Sequence, residues 1–143
     1  MVRPVLMFVR SMCQAMESGY VFGAYSHSQW PKNGKGAVVE DPSGHSFLFS
    51  LTNEANQAVR LSLHRKSEAF GMSSHGGFRF GWSTTNFALS FNGKAADDAK
   101  GNTAWPLNKD RAYLPDDGDM ERDADFFAGS EWFAAADIEV YEL

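Results

Sequence analysis

Apolar and polar residues alternate at a period of two through much of this chain. Phe47, Phe49 and Leu51 share one face of a run, and Val59, Leu61 and Leu63 share one in the next, against Arg60, Ser62 and His64. Strand side chains point to opposite faces in turn, so this spacing predicts a sheet with one face buried and one wet. Asn53-Glu-Ala-Asn56 between the two runs has the length of a hairpin connection. Phe78 and Phe80 flank Arg79, and Phe87, Leu89 and Phe91 alternate with Ala88 and Ser90 ahead of the turn dipeptide Asn92-Gly93, which predicts a second pair. Ile138 and Val140 alternate with Asp137, Glu139 and Tyr141 in a closing strand. With residues 5–9 and 20–25 added, the pattern predicts about seven strands, and a two-layer antiparallel sandwich buries their apolar faces most economically.

Helical spacing is sparse. Residues 11–18 predict one or two turns before Gly19, and residues 128–136 predict a short helix with Ser130 as N-cap and Trp132 and Phe133 facing the core. The expected fold is therefore mainly β (α+β): a two-layer antiparallel β-sandwich with a few short flanking helices. Two irregular stretches remain, 27–44 and 93–125. The second is longer than a compact domain usually leaves unstructured, so it is expected either to pack Trp105, Leu107, Tyr113 and Leu114 on the sandwich or to act as a functional loop. The 143 residues fit a single domain, 1–143. With 43% hydrophobic residues and 12 Phe, it has the material for a core without disulfides or a structural metal.

Charge narrows the partners. Thirteen Lys and Arg stand against 18 Asp and Glu, a net −5, which opposes the phosphate attraction that most nucleic-acid binders rely on and disfavours an acidic membrane surface. Cys13 is the only cysteine, so an internal disulfide is impossible and a cysteine-ligated zinc would lack its other thiolates. A reducing, cytoplasmic setting is expected. Residues 1–10 carry an apolar run too short for a signal peptide and read as a strand. A mitochondrial presequence is the lesser alternative, because acids are absent before Glu17 but the run is β-branched and aromatic. No apolar run approaches the ~18 residues of a membrane span, so no insertion is expected.

Candidate chemistry is thin. Residues 116–125 hold six carboxylates against Arg122, an oxygen-rich loop of the kind that can take calcium, but the residues before Gly118 do not fit an EF-hand, and a solvated acidic loop is the plainer reading. His27, His45, His64 and His75 have no metal-hydrolase frame; His64 falls on a wet strand face, and His45 and His75 adjoin Gly44 and Gly76. No GxSxG elbow accompanies the serines, and the glycines between 71 and 81 lack phosphate-loop spacing. Cys13 near Arg10 is either a redox thiol or an ordinary cysteine. Trp30 and Trp82 are either core residues or exposed anchors for a partner.

Three blocks carry a resemblance: residues 20–30 (YVFGAYSHSQW), residues 46–53 (SFLFSLTN) and the closing residues 126–143. In this order they resemble the TLDc domain of the eukaryotic oxidation-resistance proteins. Phe22-Gly23-Ala24-Tyr25 with Trp30 is similar to the family's Phe-Gly-Gly-aromatic turn and following Trp, with Ala24 in place of the second glycine. Phe80-Gly81 and Asn86-Phe87 resemble its later Phe-Gly and Asp-Leu elements, with Asn86 where an Asp is usual. Phe127-Ala-Gly-Ser130 and Ile138-Glu-Val-Tyr141 resemble its terminal segment.

The resemblance implies a β-sandwich and marks Gly23, Trp30, Gly81 and Glu139 as motif or partner-binding residues. Gly23 is expected where the backbone needs positive φ or close approach. Glu139 is expected in a buried hydrogen-bonding role, the alternative being contact with a partner. The family's domain usually opens with a helical segment ahead of the strand that residues 4–10 resemble, so either the chain is N-terminally incomplete or residues 11–18 cap the sandwich. The implied function is that of a non-enzymatic protein-interaction module in oxidative-stress protection, binding and regulating the vacuolar proton pump, with no catalytic residues, metal or cofactor. The competing readings are a redox-active or hydrolytic sandwich enzyme using Cys13, and a ligand- or carbohydrate-binding sandwich using Trp30 and Trp82.

Overall fold

The computed structural model describes residues 3–12, 19–28, 30, 38–72, 77–81, 88–91, 102–104, 112–121 and 126–143. Eleven strands follow one another among these residues: β1 (Val5–Ser11), β2 (Val21–Ser26), β3 (Val38–Val39), β4 (Phe47–Thr52), β5 (Val59–Leu63), β6 (Phe70–Met72), β7 (Phe78–Phe80), β8 (Leu89–Ser90), β9 (Thr103–Ala104), β10 (Tyr113–Pro115) and β11 (Ala135–Glu142). They form two antiparallel sheets that pack as a sandwich. One has the order β10-β5-β4-β2-β1-β11, the other β3-β6-β7-β8-β9.

Both hairpins read from the alternation are present. β4 pairs β5 through Leu48↔Leu61 and Ser50↔Val59, and β7 pairs β8 through Phe80↔Leu89. The four strands that the pattern did not mark (β3, β6, β9 and β10) have only two or three residues each. β10 lies within the long stretch expected to pack on the sandwich, and Tyr113 does so: it is fully buried, and its hydroxyl donates to the Ala69 carbonyl at 2.6 Å. Leu114 beside it is half-buried. Trp105 and Leu107 lie outside the described residues.

Met7, Val9, Phe22, Ala24, Leu48 and Leu61 of the larger sheet meet Phe70, Phe80, Leu89 and Phe91 of the smaller in one core. Phe133 joins them edge-on, with ring centroids 5.3 Å from Phe22 and 5.7 Å from Phe91. Each such side chain removed from water contributes about 1.5–3 kcal/mol, so this contact between layers is what holds the sheets together.

Two expectations are corrected. Residues 128–136 are not helical, and among the described residues the one helical segment is a single 3-10 turn at Lys66–Glu68. Gly129 takes φ +81°, and the backbone beyond it bonds outward: Ala104 N–H donates to Glu131, Phe133 N–H to Asn102 and Met12 N–H to Ala134. With those groups satisfied by neighbouring chain, no i→i−4 ladder forms. Phe133 faces the core as expected, but Trp132 is 52% exposed. Residues 13–18 of the other expected helix lie outside the described residues, while Ser11 ends β1.

The second correction concerns which face of β4 is inside. Leu48 and Ser50 point to the core, and Phe47, Phe49 and Leu51 lie on the outer face of the sheet, with Leu51 exposed. Ser50 tolerates burial because its hydroxyl accepts from Asn53 Nδ2 at 2.8 Å.

Candidate functional site: the outer face of the larger sheet

Register sets two rows of side chains across the outer face. One runs Glu139, Phe8, Gly23, Phe49, Arg60, and the other Tyr141, Leu6, Tyr25, Phe47, Ser62. Gly23 explains how the first row closes. A Cβ there would run into the Met7 carbonyl oxygen and come within 2.6 Å of Phe49 Cζ, so the position admits only hydrogen. Gly23 thus meets the expectation of close backbone approach, and the Phe8 and Phe49 rings meet edge-to-face in the same row, 5.4 Å apart.

The aromatic surface continues on both sides. Phe8 packs edge-on to Tyr141 at 6.2 Å, Phe47 lies 6.2 Å from Phe49, and Tyr25 stacks on Phe47 at 5.1 Å. Arg60 covers Phe47, its guanidinium carbon 4.2 Å from the ring centroid, and also lies 3.6 Å from Asp116. Such pairs add about 0.5–1.5 kcal/mol each beyond area burial, which is why a face open to water can stay rich in aromatic side chains.

At the β11 end, a shallow groove of about 250 Å³ is lined by Phe8, Val9, Arg10, Val21, Asp137 and Glu139. Arg10 stands opposite Asp137, and Glu139 opposite the Phe8 ring. The groove therefore offers an apolar floor with two carboxylates against one guanidinium, an arrangement suited to recognising an apolar or cationic side chain.

Glu139 itself is exposed, which corrects the expectation of a buried role. Its carboxylate accepts from the Tyr141 hydroxyl at 2.6 Å, and that bond, with the nearby negative charge, raises the Tyr141 phenol above its ordinary range. Among the described residues no layer covers this face of the edge strand to bury the carboxylate, and a neighbouring hydroxyl satisfies it locally.

The other motif residues sit elsewhere. Trp30 is half-buried on the smaller sheet, stacked on Phe70 at 4.8 Å and beside Phe78 and Phe80, so it packs as core rather than as an exposed anchor. Gly81 takes φ +70°, and a Cβ there would press on Ala88 Cβ at 3.0 Å. Both pack against the smaller sheet and its neighbouring chain, not on the outer face of the larger. Cys13, Trp82, His75, Asn86 and Phe87 lie outside the described residues. His64 is exposed as its alternation predicts, one residue beyond the end of β5.

In the acidic loop, Asp117 and Asp119 turn their carboxylates onto the backbone N–H groups of Asp119 and Glu121, at 3.0 and 3.1 Å. Asp116 accepts from Ser62 at 2.6 Å. Among the described residues, no three His, Cys, Asp or Glu side chains converge on one point. Nor, among them, is any helix long and apolar enough to cross a membrane.

Sequence reasoning missed one buried carboxylate. Asp41 accepts from Ser43 N–H and hydroxyl and from Ser46 N–H, at 3.1, 2.5 and 2.9 Å. Burial alone would raise this carboxyl, but the bonds from Ser43, Ser46 and Gly44 outweigh it and hold it below the usual carboxylate range. Its signal was Asp-Pro-Ser-Gly, a turn sequence whose first residue commonly bonds the backbone two residues on.

A family model of the TLDc domain matches residues 1–143, the whole chain. No curated protein matches the sequence.

Proposed function

This chain belongs to the TLDc family, and from that premise we propose that it is a non-enzymatic protein-interaction module acting in protection against oxidative stress, through binding and regulation of the vacuolar proton pump. The observation that carries this reading is the outer face of the larger sheet, where Phe8, Tyr25, Phe47 and Tyr141, joined through the buried Phe49 ring, form a connected aromatic surface rimmed by Arg10, Arg60, Asp137 and Glu139. Aromatic and Arg side chains surrounded by polar groups are the composition of partner-binding surfaces. The cytoplasm, where the pump's soluble sector lies, is the compartment that fits this role.

The test sets binding against chemistry. The purified chain, used as bait in cytosol, should enrich pump subunits, and the same chain mixed with hydrogen peroxide should leave the peroxide concentration unchanged. Turnover of peroxide that disappears in Cys13→Ser, without pump capture, would replace this reading with that of a redox enzyme.

A further inference from the structure

We propose that β11 is a docking edge that accepts one added strand from a protein partner, and that the partner strand alternates Lys or Arg with aliphatic residues. The proposal rests on the interaction-module reading and narrows it to one edge and one partner chemistry. Among the described residues, β11 pairs only with β1. It is eight residues long, the longest strand described.

The direction of its free backbone groups follows from one bond. Leu143 N–H donates to the Pro4 carbonyl at 2.9 Å, on the β1 side. In an antiparallel ladder the N–H and C=O of one residue point the same way and alternate from residue to residue. The backbone groups of Tyr141, Glu139 and Asp137 therefore face β1, and those of Glu142, Val140 and Ile138 face away from the sheet. Three donors and three acceptors at alternate positions form the template onto which an extended peptide adds.

The side chains select the occupant. On the outer face β11 presents Asp137 and Glu139, and on the other face Ile138 and Val140, with Val140 51% exposed although aliphatic. Residues directly opposite on neighbouring strands interact, so a partner is favoured that sets cations across from the two carboxylates and aliphatics across from Ile138 and Val140. The groove beside Asp137 and Glu139, floored by Phe8 and Val21, gives a long cationic side chain an apolar surface for its stem. A second copy fits poorly, because antiparallel pairing of β11 with itself centred on Glu139 sets Glu139 against Glu139, and pairing centred on Ile138 sets Asp137 against Glu139, and like charges opposite one another repel.

The probe is the capped peptide acetyl-KVKVKVK-amide, with acetyl-EVEVEVE-amide as its charge-reversed control. The Lys/Val peptide should bind the intact chain at low salt at least about tenfold more tightly than the Glu/Val peptide. It should also slow hydrogen exchange at the Ile138, Val140 and Glu142 amides. Asp137→Lys/Glu139→Lys alters two exposed side chains and should reverse the preference between the peptides, with circular dichroism unchanged. Equal affinity for both peptides, unaltered exchange at those three amides, or a folded reversal variant that still prefers Lys/Val would each overturn the docking edge. Loss of pump capture with the peptide preference intact would reject the pump as partner and leave the edge standing, whereas capture that survives with no peptide preference would reject the edge alone.

Discussion

At Gly23 a single hydrogen atom decides how the outer face is built. The position lies between the Met7 carbonyl and the Phe49 ring, so Gly23→Val must push a strand or a ring aside. The variant should lose roughly 1–3 kcal/mol of stability, read from denaturant unfolding. Asp41 is the second residue whose environment is specific. Its folded pKa is depressed, so its contribution is present above the ordinary carboxylate pKa of about 4 and fades as the pH falls through the folded value. Asp41→Asn should cost roughly 1–3 kcal/mol at neutral pH, because an amide group would set donors against backbone donors. It should also flatten the fall in melting temperature on acidification that the parent shows. Glu139 predicts the opposite pattern: with its carboxylate exposed, Glu139→Gln should melt with the parent, while the Tyr141 phenol, no longer beside a negative charge, ionises at lower pH in an ultraviolet titration.

For the elements, every strand of five residues or more overlaps one expected from the sequence, β4, β5 and β11 from their alternation, although Ala135 and Ala136 of β11 were expected in a helix. The face was not legible in β4, because Phe47, Phe49 and Leu51 on one side and Leu48 on the other are all apolar, and a period of two does not say which set faces the partner layer. The register resolves it: Leu48 meets Leu61 and Ala24 in the core, while Phe49 meets Gly23 and Arg60 outside. Leu48→Ala should therefore cost about 2–5 kcal/mol, as deletion from a packed core does. Leu51→Ala should leave the unfolding midpoint nearly unchanged. Equal losses at the two positions would return Leu51 to the core. The segment before β11 misled for a different reason: Ala-rich sequence favours helix locally, but the tertiary bonds to Asn102, Ala104 and Met12 take up its backbone groups.

Across the whole molecule, the sandwich gives its two outer aspects different uses. Trp30 and Gly81, marked by family resemblance, belong to the packing of the smaller sheet, whereas Gly23 and Glu139 belong to the outer face of the larger one. Two of the four motif residues thus fall on the candidate site. The rest of the site was not legible in the sequence, because Phe8, Tyr25, Phe49 and Tyr141 come from four strands and become neighbours only once the order β4-β2-β1-β11 is known. The claim that this face works by binding is tested most directly by measuring the affinity of the purified chain for the purified soluble sector of the vacuolar proton pump, beside the Asp137→Lys/Glu139→Lys variant. Saturable binding by the parent that weakens at least about tenfold in the folded variant is the expected result; no binding by the parent, or equal binding by both, would contradict it.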